Sequence, residues 1–479
     1  MTGDGSSIAR LREYLQSLTS GSRAMLIAEL ERALLREEDV AGSELVLQEL
    51  RRTVRAAAQP MPRIGDAARR FFMPLEPFLI EGAADHKRVG RLARVALEPI
   101  WQWISRDLMP AEAKALTEDI NRALLAEDRV KVDQLVRALH DRAIQRMSDV
   151  LATIDSNEKA RRRFTVEVGS PRAIEDVTTL MHILAIRDWL DELSRRLPDR
   201  FRAFERDQAE QVKGLIDAVG AQKAPANSAR QKSNLFLHGL ILVMDRLTAP
   251  WQLIRIATRA ADSDDVARIA GTPYAAAVTL VLNELECMVA ELRTELKAGR
   301  PVASLLKGIH DAARGMRTEM ELSVDSPWSR QLAAIRSTVS NLLTAEIETT
   351  PGRVRRLLRP RPAKEIVPGS LLDAIDVQEV EARVELVGVC RHYAGELAVS
   401  EATLRTYSEL TQYLETGTKI LLDSLRHAED TDRPFRQSQV DAAVRFCRTV
   451  FGADYAGLLA KAADVAVLGP TMDRKSARA

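Results

Sequence analysis

Two His-Asp dipeptides, His140-Asp141 and His310-Asp311, are the residues of this chain best suited to hold a divalent cation. An imidazole and a carboxylate, joined by a further His and Asp, can bind a metal and activate water. That is the chemistry of a metal-dependent hydrolase, and His86 is the upstream histidine available to it. Each dipeptide nevertheless falls inside a helical pattern beside apolar positions. A histidine packed at a core boundary and satisfied by one hydrogen bond is the ordinary occupant of such a place. His182, His238 and His392 also stand among apolar residues. No histidine has Glu three residues before it, which removes the Glu-x-x-His pairs of carboxylate-bridged metal bundles. His-Glu-x-x-His and a Gly-rich loop ending in Lys-Ser/Thr are also absent. Cys390 and His392 lie two apart, so on a helix they face different ways.

"DSDD", Asp262 to Asp265, resembles half of the aspartate-rich motif of terpene synthases. Arg268 stands where that motif needs an acid, and 4% aromatic content would line such a pocket poorly. Asp262 or Ser263 reads better as a helix cap, with the following acids at the positive helix end. "RRFFMPLEPFL", Arg69 to Leu79, concentrates three phenylalanines and reads as core beneath a proline-bent crossing. The three cysteines, Cys287, Cys390 and Cys447, are widely spaced and match no disulfide framework or zinc spacing. No catalytic residue, metal ligand, cofactor or small-molecule substrate is implied.

The sharpest local feature is basic. Arg353, Arg355, Arg356, Arg359, Arg361 and Lys364 follow one another with no acid among them. Arginine forks suit phosphate, so this stretch is a candidate site for an anionic membrane or a nucleic acid. It has no interleaved aromatic for base stacking. The competing reading is a solvated joint whose arginines pair with acidic faces of flanking bundles. The remainder of the chain is close to neutral, with 69 basic and 68 acidic residues overall. A polyelectrolyte partner would therefore need this local patch.

The elements that must position these residues are helical almost throughout. Val132, Leu135, Val136, Leu139, Met147, Val150, Leu151 and Ile154 recur at threes and fours, which places them on one helix face. Tyr274, Val278, Val281, Leu285, Met288, Leu292 and Leu296 repeat the pattern. They are followed by "AGRP", whose Gly299 suits a left-handed helix end and whose Pro301 suits the next first turn. A second apolar face from Val302 to Met320 then makes an antiparallel hairpin. "FTVEV", Phe164 to Val168, alternates like a strand but has no partner, and reads as an extended connection. Leu26–Val46 aligns without gaps on Leu116–Val136 with nine of 21 positions identical, as two similar helical hairpins would. "LEPIWQWI" and "LTAPWQLI" form a weaker echo.

These patterns specify an all-α, multi-bundle protein of antiparallel hairpins, with an elongated form among its options. Residues 1–168 form an N-terminal region with the two similar hairpins, and 169–350 a central bundle. "GAQKAPANSARQKS", Gly220 to Ser233, is a polar loop within it. Residues 351–370 form a basic, proline-rich linker with a helical start and a reach of about 40 Å. Ser370 with Asp373 resembles an N-cap pair for a C-terminal three-helix bundle over 371–466, and 467–479 is a disordered tail. The apolar stretches fall short of a membrane span, and the composition suits a bacterial cytoplasmic protein. The expected function is a non-enzymatic scaffold whose amphipathic helices bind a protein partner or a second copy of the chain. The alternatives are a peripheral binder of anionic membrane or nucleic acid through 353–364, and a hydrolase using a His-Asp pair.

Overall fold

A computed structural model describes residues 66–81, 87–126, 128–155, 157–170, 172–221 and 228–476, with isolated positions before residue 66. The first of the two similar hairpins, His86, and the middle of the polar stretch after Gly220 lie outside the described residues.

The described chain is all-α. In order, its helices are α1 (Asp66–Phe72), α2 (Leu97–Trp103), α3 (Pro110–Leu125), α4 (Arg129–Asp155), α5 (Glu158–Val168) and α6 (Ala173–Ala185). Then come α7 (Arg187–Arg196), α8 (Arg206–Ala221), α9 (Ser228–Met244), α10 (Ile254–Ala261), α11 (Val266–Ala270) and α12 (Ala276–Lys297). The last six are α13 (Ala303–Glu319), α14 (Pro327–Leu358), α15 (Ala374–Leu397), α16 (Ser400–Arg426), α17 (Arg433–Phe451) and α18 (Ala453–Ser476). Strand structure among the described residues is a two-residue parallel pair, β1 (Leu79–Ile80) with β2 (Leu92–Ala93).

The packing follows chain order. Every helix pair that shares an extensive interface lies within three helices of one another in sequence. Helices α14 to α18 meet the rest of the molecule through α12 and α13, and α1 to α6 pack extensively on no helix beyond α9. The link between the ends is the hairpin α12–α13. Its connection closes as the sequence indicates: Gly299 adopts φ +67°, and Arg300 N–H reaches the Glu295 carbonyl at 3.0 Å.

Small residues allow the closest approach in this middle part. A Cβ on Gly315 of α13 would stand 2.3 Å from Trp251 Cδ2, so the indole lies directly on the helix backbone. Trp101 instead packs edge-on to Phe72 and tilted against Phe71, and Trp103 edge-on to Phe164. The two "PWQ/IWQ" stretches therefore fill different niches. "RRFFMPLEPFL" is core as its phenylalanines suggest, since Phe71, Phe72 and Phe78 are all buried.

Three local readings change. "FTVEV" is the last part of α5, ended by Gly169 at φ +74°, because Phe164 and Val168 are four apart and bury together. Helical spacing on a buried face outweighs the β preference of Val and Thr. The cap in "DSDD" is Asp265, whose carboxylate accepts from Arg268 N–H at 2.9 Å, while Asp262 closes α10 in a left-handed conformation. Asp373, not Ser370, caps α15, accepting from Ile375 N–H at 2.8 Å.

The C-terminal part holds four helices, because Gly452 at φ +95° divides the third periodic segment into α17 and α18. Helix α18 is described to Ser476, well into the stretch read as a tail. Helix α14 runs unbroken through Pro351 to Leu358, so the first eight residues of the expected linker are helical. Pro351 has no N–H to give, yet it is buried with Val354 and Leu358. The missing N–H takes the helical donor from the Ile347 carbonyl, and the Thr349 and Thr350 hydroxyls donate to the neighbouring Glu346 carbonyl at 3.1 and 2.9 Å. The helix stops at Leu358, one residue before the Arg359-Pro360 pair.

Candidate functional site

Helix α14 and its exit place the six basic residues in two groups. Arg353 forms an ion pair with Glu379 of α15. Arg355 pairs with Glu409 of α16 and lies 5.8 Å from the Tyr413 ring centroid. A reciprocal pair, Arg405 with Glu348, joins α16 back to α14. These two arginines thus sit at the seams of the three-helix contact. Beyond Leu358 the chain runs extended to Pro362, makes one 3-10 turn at Ala363–Glu365, and stays packed. The buried Gln439 side chain donates to the Leu357 and Arg359 carbonyls at 3.3 and 3.0 Å, satisfying acceptors at the end of α14. Arg361 stacks over Phe435 at 5.0 Å, Ile366 is buried, and Gly369 N–H reaches the Thr431 carbonyl. Arg356, Arg359 and Lys364 remain exposed, with no ion-pair partner among the described residues. The contiguous basic run in sequence is therefore two interhelical braces, one stacked arginine and three solvent-facing cations.

A second locus forms around His140. Two helices each turn one face to a common cleft: Asp133, Val136, Arg137 and His140 from α4, and Arg187, Leu190, Asp191 and Ser194 from α7. These are i, i+3, i+4, i+7 sets, the spacing that aligns side chains along a helix. Met73, Pro74, Pro77 and Phe78 of the turn after α1 close another side, and Leu242 of α9 a third. The cleft encloses about 340 Å³. A neighbouring groove shares Arg70, Met73 and Asp133 with it and runs toward Leu124 and Arg129.

His140 is 2% exposed. Its Nε2 lies 2.8 Å from the Phe71 carbonyl at the end of α1. A carbonyl can only accept, so Nε2 carries the proton and the ring caps that helix end. Burial pushes the imidazole pKa down to about 4, which keeps it neutral. Arg187 donates from one terminal nitrogen to the Leu184 carbonyl and from the other to Asp141, both at 2.9 Å. Arg137 pairs with Asp188 at 2.6 Å across the α4–α7 seam. The His140-Asp141 dipeptide is thus divided between two tasks: the histidine holds a helix end and the aspartate holds an arginine.

The other histidines are local structure. His238 Nδ1 donates to the Asn234 carbonyl at 2.9 Å, and burial pushes its pKa down to about 4. His310 Nδ1 lies 3.1 Å from Asp311, which also binds Lys307, and its ring packs on Tyr393. His392 packs edge-on against the same tyrosine. All three cysteines are buried, and burial pushes their thiols up to about 11 or 12. Among the described residues, no three His, Cys, Asp or Glu side chains converge as a metal site, and no helix is long and apolar enough to cross a membrane.

Sequence reading did not single out Arg187 or Gln439. Arg187 opens α7 directly after the α6 break at Ile186, and only its phase with Leu190, Asp191 and Ser194 marks it. Gln439 carries no sequence signal, since its partners are main-chain carbonyls 80 and 82 residues away. No protein-family model, curated protein or solved structure matches this chain.

Proposed function

We propose that the chain is a non-enzymatic helical scaffold or interaction protein of the bacterial cytoplasm. One observation supports it above others: among the described helices, extensive contacts reach no further than three helices along the chain. Packing of that kind propagates from neighbour to neighbour and builds surface along its length, as helical arrays that bind other proteins do. The reading includes self-association through the same amphipathic faces.

A second reading has its own support. Arg356, Arg359 and Lys364 are exposed and unpaired among the described residues, with Arg361 beside them. Such a cluster suits an anionic membrane surface or a nucleic-acid backbone.

Affinity purification from the native cells, read by mass spectrometry, separates the two. The variant to compare with wild type is R356E/R359E/K364E, which leaves the Arg353–Glu379 and Arg355–Glu409 pairs in place. A protein partner set shared by both chains supports the scaffold. Lipid or nucleic acid recovered with wild type alone, and lost as salt is raised, supports the second reading. Absence of specific partners from both chains counts against the scaffold.

A further inference from the structure

Helix α18 buries one face and leaves the opposite one bare. It packs extensively on α16 and α17. Ala456, Leu459, Ala463 and Ala466 are its buried side. Asp454, Gly457, Leu458, Lys461, Asp464 and Val465 are exposed. Their spacings of three, four and seven set them in one stripe along the helix. Two of the six are large and apolar, with Leu458 68% and Val465 64% exposed. They stand two turns apart, about 10 Å along the axis. One exposed aliphatic side chain is ordinary, but two in register on a helix face are the repeat by which helices pack on one another.

The charges of the stripe limit its occupant. Asp454 and Asp464 outnumber Lys461, so a phosphate-rich membrane or nucleic acid gains nothing there. Neither Lys461 nor Asp464 has an ion-pair partner among the described residues. The stripe is complementary to itself. A second α18 laid antiparallel, with the two-fold axis between Lys461 and Ala462, brings Leu458 of each copy opposite Val465 of the other. That two-fold keeps each flank of the helix facing its own counterpart, so both apolar contacts close on one flank. On the other flank Lys461 meets Asp464 of the second copy, offset by about 3 Å along the axis. A Cβ on Gly457 would meet nothing within 4 Å, and Ala460 and Ala462 are half-buried, so small residues leave the backbone open to a close neighbour. Antiparallel packing of this kind already joins α17 to α18 within the chain.

We propose that α18 is a self-association surface, on which a second copy of the chain docks its own α18 antiparallel, Leu458 against Val465 and Lys461 against Asp464. The inference rests on the self-association included in the scaffold reading, and assigns it a surface.

The test is sedimentation velocity of the full chain from about 5 to about 500 µM. A reversible monomer–dimer equilibrium with a Kd of about 10–100 µM is expected, in keeping with one helix face as the interface. Leu458→Glu with Val465→Glu changes exposed positions only. It should leave the circular dichroism unchanged and weaken association at least about tenfold. Lys461→Asp and Asp464→Lys should each weaken it about threefold to tenfold, by setting like charges opposite one another. Mixing those two single variants should restore association between them, because both contacts then join opposite charges. A chain that stays monomeric throughout the range would overturn the proposal. A dimer unchanged by L458E/V465E, or single variants that associate no better when mixed, would overturn it equally. Affinity purification keeps the scaffold reading separate. Protein partners recovered with wild type and L458E/V465E alike, from a chain that is monomeric when pure, would sink this inference and leave that reading in place. Partners lost from L458E/V465E while the pure chain stays monomeric would give the face to a different protein, and the second copy would be the wrong occupant.

Discussion

Arg187 and Arg353 both tie one helix to another, but they differ in what they leave over. Arg353 sits on the surface of the α14–α15 seam and meets Glu379 there. None of its own nitrogens is buried without a partner. Arg187 lies in the α4–α7 cleft, where it holds Leu184 and Asp141 and still presents an unused N–H. The basic segment looked like the functional feature because its charges are contiguous in sequence. The fold disperses them into interhelical pairs, one stacked arginine and three exposed cations, and none of the six is among the residues with a buried polar atom that lacks a protein partner, a group that includes His140 and Arg187. Charge density in sequence reports where a patch can form.

The two regions can be separated by experiment because their helices share no extensive interface. The largest effect is expected from Phe71→Ala. Phe71 is fully buried against Phe72, Trp101 and His140, and its truncation should cost about 3–5 kcal/mol. Hydrogen exchange by mass spectrometry should show the loss over α1 to α7, with protection of α14 to α18 nearly unchanged. An equal loss in both regions would show that the molecule unfolds as one unit.

Acid should act next, and on the same side. His140 and His238 are neutral when folded, with pKa values near 4, and take up protons near 6.5 when unfolded. The unfolded chain therefore binds more protons between those values, so their stabilising contribution is complete above about pH 6.5 and is lost as pH falls toward 4. Each is worth roughly 3 kcal/mol. Asp176, raised to about 6 by burial, works in the opposite sense and offsets part of the loss. Denaturant titrations between pH 7 and about 4.5 should show the steep dependence in the N-terminal helices, and His140→Gln should flatten it.

Gln439→Ala probes the other region. It leaves the Leu357 and Arg359 carbonyls without their donor, which should cost about 1–3 kcal/mol and loosen α14 near its end. Exchange protection in α1 to α7 should not respond. The smallest effect is assigned to Arg353→Gln. Both members of its ion pair are more than a third solvent-exposed or close to it, and the change should stay within about 1 kcal/mol by thermal denaturation. A loss as large as that of Gln439→Ala would mean that the braces carry the joint, and would bring the two regions closer in character.

Much of the fold was legible before any coordinates. Periodicity at threes and fours marked α4, α12 and α13, and Gly299 with Pro301 marked the hairpin between the last two. The end of α14 at Leu358 followed from Arg359-Pro360. What misled was local chemistry that tertiary contact overrode. Val and Thr in "FTVEV" favour strand, but Phe164 and Val168 found a common buried face. Pro351 argued for a break, but burial with Val354 and Leu358 carried the helix through it. The His-Asp dipeptide was visible as a pair, whereas its division between the Phe71 carbonyl and Arg187 was not, since those partners lie 69 and 46 residues away.

The sequence by itself determined the helical class, the main hairpin and the neutral balance of charge, because these depend on the spacing of side chains along one chain. Tertiary structure alone decided which arginines are braces, which are free, and which buried atoms are left wanting a partner. Those properties depend on groups brought together from distant positions, and on the cost of burying a polar atom that nothing in the chain satisfies.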